Sequence, residues 1–159
     1  MIRSQTACQS YKFLRPNEAK GHVFRAGYDV YGHELGICRA VVGKDLTPGK
    51  YREDVGACLV PWGSKEHRLT KGFKVLTMPE PKYFSWERLS NGQVPAHAMA
   101  WGRASDGKPK YIARCLARWR GRTTLVPGKI HNGRMTFAFD WKEYLCGQQS
   151  TEVLTCKGA

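Results

Sequence analysis

The stretch AGYDVYGHELGICRAVVGKDLTPGK, residues 26–50, decides the fold because most of its landmark residues recur once later in the chain. From Trp101 the chain reads WGRASDGKPKYIARCLARWRGRTTLVPGK. Three landmarks recur at one constant spacing: Gly27 with Gly102, Gly32 with Gly107, and Arg39 with Arg114. Glycine permits positive φ angles and close backbone approach, so a shared glycine pattern indicates a shared backbone path. The sequence therefore predicts a structural duplication.

Each copy of this stretch ends in a Pro-Gly-Lys tripeptide. The two tripeptides occupy residues 48–50 and 127–129, which is a wider spacing than that of the other landmarks, because the second copy holds four additional residues between its arginine and its tripeptide. Because Pro-Gly presets a tight turn, we expect a turn at both places.

The segment YIARCLARWRGR, residues 111–122, is ambiguous when it is read alone. Its basic and aromatic residues recur at every fourth position, which fits a basic amphipathic helix. Its counterpart ELGICRAVVGK, residues 34–44, has an internal glycine and β-branched residues, which suit a strand. Because repeats share their structure, we predict a strand that runs into an enlarged loop.

Short segments bounded by turn residues at intervals of about 8–12 residues are typical of an all-β sandwich or barrel. A chain of 159 residues is large enough for two small half-domains that share a core. We predict an all-β fold of two tandem, pseudo-twofold-related β-sheet or sandwich repeats that pack into one compact unit. The repeats cover residues 11–78 and 83–156, with the short linker Pro79-Glu80-Pro81 between them.

The chain is strongly basic, with 26 Lys and Arg against 13 Asp and Glu and a formal net charge of +13. The densest stretch runs from Arg103 to Arg122 and contains seven basic residues, opposed only by Asp106. Charge of this density supports non-specific attraction to polyanions. The candidate anion-binding residues are Arg103, Arg114, Arg118, Arg120 and Arg122.

Six cysteines stand at positions 8, 38, 58, 115, 146 and 156. They form no CxxC pair and no Cys/His quartet at ligand spacing, so no zinc site is predicted. The first residues lack the apolar core of a secretory signal, and no apolar run reaches the roughly 18 residues of a membrane span. We expect a cytoplasmic protein, unless it is exported by another route, with free thiols that act as small core residues.

The sequence offers little support for an enzyme. It contains no Ser-centred elbow, no phosphate-binding loop and no HExxH motif. Of its five histidines only His22 and His97 recur at the repeat spacing, and their apolar neighbours favour a role in packing. Neither a catalytic residue nor a metal or cofactor is predicted.

The order of motifs in each copy resembles the DM-nine repeat. An aromatic-led strand is followed by a turn, by G-x-D-x-x-G in the first copy, by an Arg-bearing strand, by Pro-Gly-Lys, and by an apolar run that ends near Lys-Glu. A closing Val-Leu completes each copy, and the two copies span about residues 11–156. The pattern is similar to that of small invertebrate lectins of this family. The resemblance implies an all-β pseudo-symmetric fold, a tendency to form homodimers, and mannose recognition by an Asp and the Lys of Pro-Gly-Lys.

Carried over by position, these family residues fall on Asp29 and Lys50. In the second copy Lys129 takes the lysine position, but Ala104 stands where the carboxylate is expected, with Asp106 as an alternative acceptor two residues further on. Residues Glu66 and Glu143 recur as part of Lys-Glu pairs, and each is expected to form either an ion pair with a repeat arginine or a wall of the cavity.

The chemistry of sugar binding agrees with these residue types. A hexose presents neighbouring hydroxyl groups, each a donor and an acceptor, so a carboxylate beside an ammonium gives directional recognition. Tyr28 or Tyr31 is a candidate to stack on the apolar face of the sugar. Without the resemblance, Asp29 and Lys50 would be interpreted as a turn-capping carboxylate and a solvated lysine.

The sequence therefore favours a non-enzymatic lectin that binds mannose-type glycans and acts in pattern recognition on microbial or host surfaces, with the first copy as the working site. The alternative is a protein that binds acidic polymers, such as sulfated glycans, acidic lipids or nucleic acid, through residues 103–122. A third hypothesis, suggested by Ala104, is an interaction or stress-response module without a sugar site.

Overall fold

A computed structural model describes residues 8–157 of the chain. Residues 1–7, which carry part of the prediction about a secretory signal, lie outside the described residues. The strands are β1 (Lys12–Leu14), β2 (Gly27–Tyr28), β3 (Glu34–Val42), β4 (Asp45–Arg52), β5 (Ala57–Trp62), β6 (Lys65–Leu69), β7 (Phe73–Thr77), β8 (Phe84–Arg88), β9 (Gly102–Arg103), β10 (Pro109–Trp119), β11 (Arg122–His131), β12 (Arg134–Phe139), β13 (Lys142–Leu145) and β14 (Thr151–Cys156). One helix, α1 (Pro16–Ala19), and the 3-10 turns Pro81–Tyr83 and Gln148–Ser150 complete the described elements. The predicted all-β fold is confirmed. Within residues 8–157, every helix is too short to cross a bilayer.

The strands join into a single sheet with the order β1-β7-β3-β2-β11-β12-β13-β6-β5-β4-β9-β10-β14-β8. Each strand has a counterpart in the other repeat, as β1 has β8 and β7 has β14. When every strand is replaced by its counterpart, the order read from the opposite end is identical. Further pairings of β3 with β4 and of β10 with β11 close part of the sheet into an eight-stranded barrel. The fold therefore has the pseudo-twofold symmetry that the repeat implies.

The two repeats interleave at three junctions. Strand β2 pairs with β11, β9 pairs with β4, and β13 pairs with β6. At the third junction Lys65 faces Lys142, its own counterpart, so the pseudo-twofold axis passes between them. The core has the same origin, because its central cluster includes Ile37 and Leu76 with their counterparts Ile112 and Leu154. Neither repeat closes the barrel alone.

The ambiguous segment 111–122 forms strand β10, the turn at Arg120 and Gly121, and the start of β11. The strand is as predicted, whereas the helix alternative and the enlarged loop are wrong. Strands β3 and β4 pair over seven positions and strands β10 and β11 over nine. The four additional residues of the second repeat extend the β10–β11 ladder by two residue pairs. A continued ladder satisfies backbone hydrogen bonds that a loop would leave to solvent.

The expected turns at Pro-Gly-Lys are also wrong. Both tripeptides lie inside strands, Gly49 in β4 and Gly128 in β11. A Cβ atom at Gly49 would collide with the carbonyl oxygen of Leu59, and one at Gly128 with that of Thr136. The tripeptide therefore needs glycine for close approach of the next strand, and not for a turn.

The prediction of free thiols is wrong as well. The cysteines form the disulfides Cys8–Cys156, Cys38–Cys58 and Cys115–Cys146, with Cα–Cα distances of 5.8, 5.9 and 6.0 Å. Spacing along the chain did not reveal them because the partners are 20 to 148 residues apart, on segments that only the tertiary fold brings together. The second and third bridges are not related by the repeat spacing, so the two repeats are cross-linked at different positions.

Candidate functional site

A cavity of about 280 Å³ lies where the β2–β3 turn, β4 and β6 meet the end of β10 and the β12–β13 turn. We call it the first cavity. Its lining includes Asp29, Lys50, Glu66, Trp119, Phe139 and Trp141. The first three belong to the first repeat and the aromatic residues to the second, so the cavity exists only because the repeats interleave.

The Lys50 side chain lies largely buried beside the first cavity. The residue is 7% exposed, yet no acceptor within residues 8–157 forms a hydrogen bond or an ion pair with its Nζ atom. Its Nζ atom lies over the Phe139 ring, 5.3 Å from the ring centroid. Burial lowers the pKa of Lys50, an effect that Glu66 and Asp29 oppose and Arg52 reinforces. Because no acceptor in this part of the chain engages it, the ammonium is available as a donor to a ligand that enters the cavity.

Asp29 is held rigidly at the edge of the first cavity. Its Oδ1 atom accepts hydrogen bonds from the backbone N–H groups of Tyr31, at 2.9 Å, and His33, at 2.8 Å. Its Oδ2 atom lies 3.0 Å from His33 Nδ1. The carboxylate therefore caps its own turn and also lines the cavity, and its role in sugar binding stays a prediction.

Glu66 joins the two repeats and adds an acceptor. Its Oε2 atom accepts a hydrogen bond from the backbone N–H of Trp141 at 2.9 Å, and its Oε1 atom makes no hydrogen bond to any residue in 8–157.

The aromatic residue Trp141 is 71% exposed and has a φ of 69°, an uncommon backbone angle for such a residue. Of the tyrosines proposed for stacking, Tyr31 lines the first cavity and Tyr28 lines a neighbouring depression.

The aromatic wall formed by Trp119, Phe139 and Trp141 was missed at the level of sequence. Phe139 and Trp141 align with Trp62 and Ser64 when the two Lys-Glu pairs are superposed, but only the β13–β6 junction brings them to the first repeat's cavity. The sequence feature that could have indicated this wall is the stretch with four additional residues before the second Pro-Gly-Lys, because Trp119 lies in it.

A second cavity, of about 360 Å³, includes Lys129, Arg134, Thr136 and Glu143 in its lining. Lys129 is 7% exposed, like Lys50, but its Nζ atom lies 3.2 Å from Glu143 Oε2. Burial acts to raise the pKa of Glu143, yet hydrogen bonds from Thr136 Oγ1 (2.7 Å) and the Ser64 N–H (2.8 Å), together with Lys129, hold it below its usual range. The charged groups of this pair are therefore satisfied within the protein.

The turn beside the second cavity repeats that of Asp29 without its carboxylate. Ala104 N–H donates to Lys108 O at 2.8 Å, as Asp29 N–H donates to His33 O at 2.8 Å. The Asp106 carboxylate accepts a hydrogen bond from the Lys108 N–H at 3.0 Å, and Asp106 does not line the second cavity. Asp106 is therefore a turn-capping residue in this structure.

Asp45 supplies a carboxylate beside Ala104 from the other repeat. It accepts hydrogen bonds from the Ser105 N–H (2.8 Å), Trp62 Nε1 (3.0 Å) and Lys110 Nζ (3.0 Å). Burial opposes ionisation, but these bonds outweigh it and hold the pKa of Asp45 well below its usual range. Lys110 is 1% exposed and aligns with Leu35 of the first repeat. A buried ion pair thus stands here where the first repeat has an apolar side chain.

The fold distributes the basic stretch over different surfaces. Arg114 donates to Glu152 Oε1 at 2.9 Å and to Ala26 O at 2.8 Å, and it stacks on Trp86, so it has a structural role. Arg103 lies on β9, where its backbone pairs with Leu46 of β4. The tip of the β10–β11 hairpin holds the remaining three arginines, Arg118, Arg120 and Arg122.

No group of three or more metal-binding side chains is found within residues 8–157.

Comparisons with known proteins address the family and the fold. No curated protein matches the chain. Among solved structures, the nematode sperm cell motility protein MFP2B is similar to it with a TM-score of 0.63 and 16% identity. The similarity covers 92% of this chain and 45% of MFP2B, so the chain spans about half of that structure, and the likeness concerns the fold alone. The DM9 repeat model matches residues 29–145, which is most of the chain, and the protein therefore belongs to the DM9 repeat family.

Proposed function

We propose that the protein is a non-enzymatic lectin that binds mannose-type glycans in the first cavity. Membership of the DM9 repeat family supports a carbohydrate-binding type of domain. The observation that carries the proposal is Lys50, a largely buried residue that lines the cavity and whose ammonium has no acceptor among residues 8–157. A sugar hydroxyl is an acceptor of the required kind.

The arrangement suits a neutral hexose. Lys50 donates to a hydroxyl oxygen, while Asp29 and Glu66 accept from the hydroxyl groups beside it. Trp119, Phe139 and Trp141 offer apolar surface to the C–H face of the ring. Single-sugar binding of this kind is weak, so a homodimer would raise affinity for glycans that carry several mannose residues.

The second cavity provides a matched control for the experiment. In Lys50→Met the unpaired ammonium is removed, and we expect loss of methyl α-mannoside binding in calorimetry. In Lys129→Met an equally buried lysine is removed from its ion pair with Glu143, and we expect sugar binding to persist. Thermal melting of both variants establishes that they are folded. Equal loss of binding in the two variants, or a folded wild-type protein without sugar binding, would contradict the proposal.

A polyanion-binding function through all of residues 103–122 has weaker support, because the Arg114 side chain bonds to Glu152 and Arg103 lies on a different strand pair, β4–β9.

The disulfides bear on the cellular compartment of the protein. Three disulfides are typical of proteins in oxidising compartments, which favours export of the protein over a cytoplasmic function. Alkylation of the protein from its native source, with and without reduction, tests this expectation.

A further inference from the structure

The tip of the β10–β11 hairpin, residues 117–124, borders the first cavity. This segment contains the two strand pairs that the first repeat lacks. Trp119 lines the first cavity, and Arg120 stacks on Trp119 with its guanidinium carbon 4.4 Å from the ring centroid. Arg122 lies over Tyr31, another cavity residue, at 5.9 Å. The hairpin tip therefore brings Arg120 and Arg122 to the rim of the first cavity, and Arg118 lies next to them in the same hairpin.

The arginines of the hairpin tip and of the cavity wall at Arg68 have no carboxylate partner in the described part of the chain. Arg118, Arg120 and Arg122 form no ion pair within residues 8–157, and neither does Arg68, which lines the cavity from β6. Other arginines are paired, as in Arg25 with Glu53 and Glu34, or Arg114 with Glu152, although Arg88, Arg103 and Arg134 form no ion pair within residues 8–157 either. Unpaired cations in a cluster repel one another, and an anionic ligand would relieve that repulsion.

The opposite charges are divided in space. Asp29, Glu66 and Asp140 line the first cavity, whereas the hairpin tip has no acidic residue. Because Lys50, Arg52 and Arg68 balance these carboxylates in the cavity lining, an anion is favoured more at the wholly basic hairpin tip than inside the cavity. The surface is suited to a ligand with a neutral hexose at one end and an acidic group next to it.

We propose that the first cavity and the hairpin tip together select acidic glycans, in which a hexose occupies the cavity and an adjacent carboxylate or sulfate contacts the arginines. This inference rests on the proposed function of the first cavity. Guanidinium groups match both anions, because their parallel N–H donors bind two oxygens at once. The two strand pairs added to the second repeat thus define the ligand class of the first repeat's site.

The test uses sugars that differ only in charge. Binding of β-1,4-mannobiose, β-1,4-dimannuronate and 6-sulfated mannobiose is measured by calorimetry at low and at physiological salt, with methyl α-mannoside to report on the cavity alone. We expect at least one acidic disaccharide to bind about tenfold more tightly than mannobiose at low salt, and this preference to shrink as salt increases.

Two variants with the same change in charge separate the rim from general electrostatics. In Arg118→Gln/Arg120→Gln/Arg122→Gln we expect the preference to disappear, while binding of methyl α-mannoside stays within about twofold. The control Lys20→Gln/Lys71→Gln/Lys74→Gln removes three charges from residues that do not line the cavity and should retain the preference. No preference in the wild type, or equal loss in both variants, overturns the inference and leaves the sugar site intact. Failure of the wild type to bind methyl α-mannoside overturns the proposed function and this inference with it.

Discussion

The two cavities share one backbone frame but differ in how their charges are satisfied. In the first cavity Lys50 has no acceptor among residues 8–157, and Asp29 lies at its edge. In the second cavity Lys129 is paired with Glu143, and a buried pair of Lys110 and Asp45 lies beside the missing carboxylate at Ala104. The first cavity is suited to binding, whereas the charges of the second stabilise the fold. The two copies therefore share a frame and differ at a few residues that decide how the buried charges are satisfied.

The largest expected effect concerns stability. Asp45→Ala leaves Lys110 buried with Thr47 as its remaining hydrogen-bond partner among residues 8–157, so the free energy of unfolding should fall by about 3–5 kcal/mol. Thr124→Ala, at the aligned position, removes a single neutral hydrogen bond to Tyr28 O and should cost about 1 kcal/mol. Chemical denaturation of the two variants measures the difference. Similar losses would mean that the buried pair does not distinguish the second repeat.

The next prediction converts the second cavity into the first. The variant Ala104→Asp/Lys110→Leu/Asp45→Thr gives these three positions the residue types of their repeat counterparts, Asp29, Leu35 and Thr124. We expect it to bind a second equivalent of methyl α-mannoside in calorimetry, because a carboxylate returns and the buried pair is removed. Retention of wild-type stoichiometry by a folded variant would contradict the view that these three positions close the second cavity, and would point to the Lys129–Glu143 pair or to the missing aromatic wall.

The charge on Lys50 predicts how binding depends on pH. Burial lowers the pKa of Lys50, so its ammonium is lost at a lower pH than that of an ordinary lysine, near 10.4. Binding should be complete below the lowered pKa and should weaken about tenfold per pH unit above it, because only the charged form donates fully. Calorimetry across the alkaline range measures this, with uptake of protons on binding as a second readout. A flat profile up to the pKa of ordinary lysine would contradict a direct role for Lys50.

The smallest expected effect tests the contribution of the second repeat to the first cavity. Trp119→Ala removes part of the aromatic wall and should weaken methyl α-mannoside binding by about 0.5–1.5 kcal/mol. The variant Trp86→Ala removes an aromatic residue that packs on Arg114 and does not line the first cavity, and it should leave sugar affinity unchanged. Equal effects of the two changes would point to a general loss of rigidity.

Much of the fold could be predicted because it depends on local and repeated features. The glycine pattern and its constant spacing indicated two equivalent halves, and the strand-forming residues of 34–42 and 110–119 indicated the paired hairpin strands. The candidate pair Asp29 and Lys50 also came from the motif, and the structure brings both residues to one cavity. The repeat limits, at 11–78 and 83–156, stay a prediction.

The errors share a physical cause. Pro-Gly-Lys was interpreted as a turn because the sequence does not show that a neighbouring carbonyl occupies the space of a Cβ atom at Gly49. The thiols were expected to be free because Cys38 and Cys58 meet only through the strand pairing, and the roles of Asp45 and Trp119 depend on the same contacts between repeats.

The sequence by itself determined the duplication, the all-β class and the asymmetry between Asp29 and Ala104, because these follow from residue types and their spacing. Only the tertiary structure decided that the repeats interleave, that Lys129 is paired while Lys50 is not, and that the arginines of one repeat border the cavity of the other. The reason is that such contacts join residues that are distant in the chain, and no local pattern records which strands will lie side by side.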